Sequence, residues 1–177
     1  MAITISLVEN ERELSRFVAE YINQAAGFRC VSTHPSAEEA LAELPRHRPD
    51  VVLMDINLGG MSGIECARRL HELTPALHIL MLTAYEDSNL IFEASAAGAT
   101  GYLLKRTPPP QIPDAITEVM AGGSPMSAAI ARKVVLSFQD AGGKSWRCGP
   151  RRPFQLARLC PRSQDRRQQW LARSSNR

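Results

Sequence analysis

Five short, nearly continuous apolar runs alternate with helix-like stretches, and this alternation limits the fold more tightly than any other feature of the chain. The runs are residues 3–8, 28–32, 51–54, 78–82 and 101–104. A strand that is apolar on both faces has to be covered on both, and parallel sheets sandwiched between helices achieve this. The first intervening stretch, 11–26, sets Leu14, Val18, Ile22 and Ala25 on one helical stripe and stops at Gly27. Ser36-Ala37-Glu38-Glu39 has the spacing of a capping box and opens a helix to about Leu44, before a loop marked by Pro45 and Pro49. Further helices are expected from about Gly63 to Leu73, over 89–97 and over roughly 114–121. The class is α/β: a five-stranded parallel sheet with helices on both faces and right-handed crossovers. Sequence alone does not fix the strand order. A doubly wound order, 2-1-3-4-5, brings the ends of strands one, three, four and five around one crevice.

Asp55 closes the third run and opens a Gly-rich turn, 56–63. A carboxylate at the end of a buried parallel strand stands where open α/β sheets put their chemistry. Three other runs end on Glu9, Thr83 and Lys105. Together they describe a small acidic site with one cation and one hydroxyl, a composition that suits Mg²⁺-assisted phosphoryl transfer onto an aspartate. Plainer roles exist for each residue. Asp55 can cap its turn, Thr83 can start one, and Lys105 can be a surface residue leaving the sheet. Asn10 can cap the first helix, with Glu13 three residues on. Glu9 can be a solvated acid at that helix's positive end, and Tyr102 can be plain core. His34, His47, His71 and His78 share no spacing and read as surface or packing residues.

Charge divides the chain. Residues 1–139 hold 11 Lys and Arg against 16 Asp and Glu, whereas residues 140–177 hold 10 against 2. The body, 1–122, is acidic. Residues 123–139 read as a linker helix leaving the domain, with Ile130, Val134, Val135 and Phe138 in period. From 140 the chain turns basic, loses its apolar period and is expected to be a disordered tail. A solvated tail is favoured there over nonspecific nucleic-acid binding. Cys30, Cys66, Cys148 and Cys160 lack CxxC spacing and are expected to be reduced thiols. No apolar run is long enough to span a membrane, and no secretory signal is seen, so a cytoplasmic location without membrane attachment is expected.

Residues 1–139 resemble the receiver domain of bacterial two-component response regulators, a flavodoxin-like fold. The resemblance rests on Leu7-Val8-Glu9-Asn10, on Leu53-Met54-Asp55 with Gly60-Met61-Ser62-Gly63, on Leu82-Thr83-Ala84, and on Gly98-Ala99-Thr100-Gly101-Tyr102-Leu103-Leu104-Lys105. The segment Ala121-Gly122-Gly123-Ser124-Pro125-Met126-Ser127 looks like the linker of NarL/FixJ-type regulators, which leads into a LuxR-type helix-turn-helix. The resemblance implies a phosphorylation switch rather than an enzyme. Asp55 is then the acceptor of a phosphoryl group from a sensor histidine kinase. Mg²⁺ is held by Asp55, the Asn57 carbonyl and the pair Glu9-Asn10. Lys105 and Thr83 contact phosphoryl oxygens, Thr83 and Tyr102 relay the change, and the phosphorylated form pairs with a second copy.

The chain departs from the family in several places. Asn10 stands where a second acid is usual, which implies weaker Mg²⁺ binding. Leu58-Gly59-Gly60 replaces Met-Pro-Gly, and Arg106 replaces a proline. The proline-rich run 108–113 is expected to shorten helix five or delay its start, because Pro113 cannot donate inside it. No helix-turn-helix is legible after 140, so DNA binding by this chain is not expected. The abrupt change of composition resembles out-of-frame translation beginning near 138–146. Two rivals remain: a pseudo-receiver that binds a partner without phosphorylation, motivated by Asn10, and an aspartyl-nucleophile phosphatase. The second needs an acid two residues after the nucleophile, where this chain has Asn57.

Overall fold

A computed structural model describes residues 2–143. Its elements alternate: β1 (Ile3–Val8), α1 (Arg12–Gln24), β2 (Phe28–His34), α2 (Ala37–His47), β3 (Val51–Met54), α3 (Gly63–Leu73), β4 (His78–Thr83), α4 (Ser88–Ala96), β5 (Gly101–Leu104), α5 (Gln111–Met120) and α6 (Ala128–Gly143). The sheet has the order β2-β1-β3-β4-β5, and all its pairs are parallel. This is the doubly wound order, 2-1-3-4-5, that gathers the ends of strands one, three, four and five around one crevice.

The strands are apolar throughout because the sheet carries a core on each face. In β3, Val52 and Met54 join one buried cluster with Leu44, Leu70 and Ile91 from α2, α3 and α4. Val51 and Leu53 join the other, with Val18 and Ile22 from α1 and Ile116 and Val119 from α5. Successive strand residues point to opposite faces, so a four-residue apolar run feeds both layers.

Three expectations are corrected. Helix α2 continues through Pro45 to His47 instead of ending near Leu44. The ring removes only one amide donor there, and Arg48, left-handed at φ 46, closes the end with its N–H on the Leu44 carbonyl at 2.9 Å. Helix α5 starts at Gln111 and is not delayed by Pro113. That proline occupies the first turn, where N–H groups have no partner within the helix in any case. The linker does not leave the domain: Ile130 is fully buried in the first cluster and Val134 packs against it, and the compact unit extends to Ala141. The expectations for the Phe138 side chain, for Cys148 and Cys160, and for the tail from residue 144 onward fall outside the described residues.

Cys30 and Cys66 are free thiols. Burial pushes Cys66 up to about 12, so it stays protonated and inert. Among the described residues no helix is long and apolar enough to cross a membrane.

Candidate functional site

The last rungs of the sheet ladder fix the site. The Glu9 N–H donates to the His34 carbonyl at 2.9 Å, the Asp55 N–H to the Val8 carbonyl at 3.0 Å, and the Lys105 N–H to the Thr83 carbonyl at 2.9 Å. Glu9, Asp55 and Lys105 thus emerge at one rim from three strands that are not consecutive in sequence. Their side chains meet. Lys105 Nζ lies 2.7 Å from Glu9 Oε2 and 2.8 Å from Asp55 Oδ2. The acids are almost fully enclosed, at 1% and 5% side-chain exposure, and the lysine is exposed to 20%.

The other two carboxylate oxygens also have donors: the Ile56 N–H on Asp55 Oδ1 at 2.7 Å, and the Glu11 N–H on Glu9 Oε1 at 3.1 Å. Burial raises the Glu9 carboxyl above its ordinary range, against the opposing pull of the Lys105 hydrogen bond. For Lys105 burial disfavours the charge, but its bonds to Asp55 and Glu9 outweigh that and raise it. Two buried anions share one cation, so the rim keeps a net negative charge that attracts another cation or an electrophile.

The Gly-rich turn after Asp55 depends on Gly63. A Cβ there would stand 1.8 Å from the Asp55 carbonyl oxygen, so only glycine lets α3 begin this close to the acid. Asn57 is exposed on this turn. Asn10 is exposed, and its amide nitrogen lies 3.9 Å from where a Cβ on Gly59 would be. It flanks the turn and does not cap α1, whose cap position is Glu11. Glu9 is likewise no solvated surface acid.

Thr83 is fully buried, and its Oγ1 accepts the Tyr85 N–H at 3.4 Å. Tyr102 is 2% exposed and donates its hydroxyl to the Tyr85 carbonyl at 3.1 Å. The two meet at Tyr85. Sequence reasoning missed Glu38 on α2, whose Oε1 accepts the Met61 N–H at 3.0 Å and fastens the turn. Only a tertiary contact reveals it. It also missed Glu86 and Lys133, which pair with each other.

Among the described residues, no group of three or more His, Cys, Asp or Glu is gathered as a metal cluster. The rim offers two carboxylates, Glu9 and Asp55, and exposed Asn10 and Asn57 follow them in the chain. Mg²⁺ binds through one or two carboxylates and keeps several waters, so this donor set fits it.

A family model described as the response regulator receiver domain matches residues 5–117. The chain belongs to the response-regulator receiver family. The receiver is 30% identical over 130 residues to the transcriptional activator protein ExaE of Pseudomonas putida, across 73% of this chain and 61% of that protein. It is 27% identical over 124 residues to the response regulator protein VraR of Staphylococcus aureus, across 70% of this chain and 59% of that one. The chain therefore spans about three-fifths of the curated relatives it matches. Among solved structures, a two-component response regulator of the LuxR family from Aurantimonas sp. SI85-9A1 aligns with a TM-score of 0.75 at 29% identity, over 78% of this chain and 99% of that one. The isolated receiver of RcsB from Salmonella enterica shares the fold, with a TM-score of 0.69 at 16% identity, over 76% of this chain and 99% of that one.

Proposed function

We propose that this receiver takes a phosphoryl group on Asp55 from the phosphohistidine of a sensor histidine kinase and thereby switches an output. The observation that carries the reading is the Lys105 ammonium spanning Glu9 and Asp55 at 2.7 and 2.8 Å. In the transfer a carboxylate oxygen of Asp55 forms a bond to phosphorus as the phosphorus–nitrogen bond breaks. The electron pair leaves with the imidazole, which takes up a proton. Lys105 is within reach of the oxygen charge that the transfer delivers, where it acts as a point charge. The Thr83 hydroxyl supplies a second partner. Glu9, Asp55, the Asn10 amide and the Asn57 carbonyl are the groups that would hold Mg²⁺. The ion would offset charge that develops on the transferred group. The product adds a charge of about −1.5 to −2 to the rim, and Thr83 and Tyr102, which share Tyr85, are the residues through which it is relayed.

The same reading takes 1–122 as the receiver body, 123–139 as a linker helix that packs on it, and the basic segment 140–177 as out-of-frame sequence in place of an output domain. The output is then transcriptional in ancestry, the phosphorylated form pairs with a second copy, and the location is cytoplasmic. The other reading frames of the coding DNA test the tail: a helix-turn-helix pattern is expected there, and its absence counts against the frameshift.

One second reading has an observation behind it. Asn10 brings no charge to the ion site, and Lys105 already occupies both acids, as a pseudo-receiver would allow. Acetyl phosphate with Mg²⁺, followed by intact-mass measurement, separates the two. A single phosphoryl adduct is expected, absent in Asp55→Ala. No adduct on the wild type, or one that survives Asp55→Ala, overturns the assignment.

A further inference from the structure

The segment after α5 adds itself to the sheet. Tyr102 pairs with Met126 in a single parallel bridge. The Tyr102 N–H donates to the Pro125 carbonyl at 2.9 Å, and the Ser127 N–H donates to the Tyr102 carbonyl at 3.3 Å. Gly101 permits the approach, since a Cβ there would stand 2.8 Å from the Pro125 carbonyl oxygen. Helix α6 then places Ile130 in the buried cluster that holds Ile91, Ala94 and Tyr102. Beyond this apolar seat the contact is ionic. Glu86, in the turn before α4, pairs through Oε1 with Arg106 and through Oε2 with Lys133 at 3.3 Å. Lys133 also donates to the Glu86 carbonyl at 2.7 Å.

Both sides of this cluster start from the rim. Arg106 follows Lys105, which holds Asp55. Glu86 follows Tyr85, whose N–H is on the Thr83 hydroxyl and whose carbonyl takes the Tyr102 hydroxyl.

We propose that Glu86 is a two-cation clasp that holds α6 on the β5 edge, and that its closure is coupled to modification of Asp55. The coupling rests on the phosphorylation reading, whereas the clasp does not. A phosphoryl group on Asp55 gives Lys105 and Thr83 a new anionic partner. The residues next in the chain, 85–86 and 106, pass any shift directly to the clasp. Half-exposed ion pairs are weak enough for so small a change to tip them. By linkage, the factor by which modification opens the clasp equals the factor by which opening changes the stability of the modified form.

Hydrogen exchange read by mass spectrometry on the full chain tests both parts. In unmodified protein, Lys133→Glu is expected to speed exchange over residues 128–137 about fivefold, the scale of a lost partly exposed ion pair. Lys133→Arg should match the wild type, and β1 and β3 should be unaffected. No change in Lys133→Glu, or a rise across the whole sheet, overturns the clasp. After acetyl phosphate and Mg²⁺, with the adduct verified by mass, exchange over 128–137 is expected to change severalfold in the wild type and not in Glu86→Gln. Equal changes in both, or none in either, overturn the coupling. If Asp55 takes no phosphoryl group, the phosphorylation reading and the coupling fall together, and the result on unmodified protein alone decides the clasp.

Discussion

Lys105 and Arg106 are consecutive residues at the end of β5, and each completes a cluster of three charges with opposite design. Lys105 is one cation between two acids, Glu9 and Asp55, both nearly enclosed. Arg106 is one of two cations on a single acid, Glu86, and its own side chain is 67% exposed. Burial separates the two. An enclosed anion that loses its partner has no water to turn to, whereas an exposed one rehydrates. The inner cluster is thus suited to holding a fixed geometry for chemistry. The outer one is suited to opening and closing.

The strongest test of that difference is Lys105→Met. It leaves Glu9 and Asp55 side by side, buried and uncompensated. A loss of about 3–5 kcal/mol is expected at neutral pH, the range seen when one partner of a buried pair is removed. Urea denaturation against the wild type measures it. The deficit should shrink as pH falls, because Glu9, already raised by burial, can then shed its charge. A loss below about 1 kcal/mol would put the inner cluster in the same class as an exposed pair and dissolve the comparison.

One position further on, Arg106→Ala is expected to lose less than about 1 kcal/mol in the same measurement, with the difference fading near 1 M salt. Lys133 still reaches Glu86 in that variant, at 3.3 Å to the carboxylate and 2.7 Å to the carbonyl. A loss comparable to that of Lys105→Met would mean that Arg106 carries structure its exposure does not suggest.

These clusters also mark what the sequence could and could not disclose. The inner one was legible because each member ends an apolar run, and parallel strands deliver their ends to a common rim. The alternation of the runs puts Glu9, Asp55 and Lys105 at one rim, and the strand order, which the runs alone do not fix, brings them together. The two prolines mislead for local reasons: Pro113 lies in the first turn of α5, where N–H groups have no partner within the helix, and Pro45 removes one donor in the last turn of α2, which Arg48 closes on the Leu44 carbonyl. The outer cluster was illegible. Glu86 sits in a turn with no periodicity, and Lys133 lies on a helix whose sequence does not tell whether it departs or packs. Only the bridge between Tyr102 and Met126 decides that. Glu38 escaped notice for the same reason, since its partner is a backbone N–H 23 residues away.

The smallest effect expected is also the one most easily taken with the wrong sign. Glu9 forms a 2.7 Å pair with Lys105, and by that contact alone Glu9→Gln should weaken the protein at pH 7. The direction of its titration argues otherwise. Burial is the largest influence on Glu9 and raises its carboxyl in the folded state. An acid raised on folding binds protons more tightly folded than unfolded, so its contribution to stability is full below the unfolded value of about 4.5 and is lost as pH rises through the folded one. Glutamine resembles the protonated acid and keeps that contribution. Lys105 still has Asp55 at 2.8 Å, so no buried cation is stranded. Glu9→Gln is therefore expected to be slightly more stable than the wild type at pH 7, with the two converging as pH falls toward about 4.5. Denaturation midpoints across that window measure the gap. A variant less stable at pH 7, by a margin that disappears in acid, would mean that the ionised Glu9–Lys105 pair outweighs the burial of its acid, and that the inner cluster holds by attraction more than by enclosure.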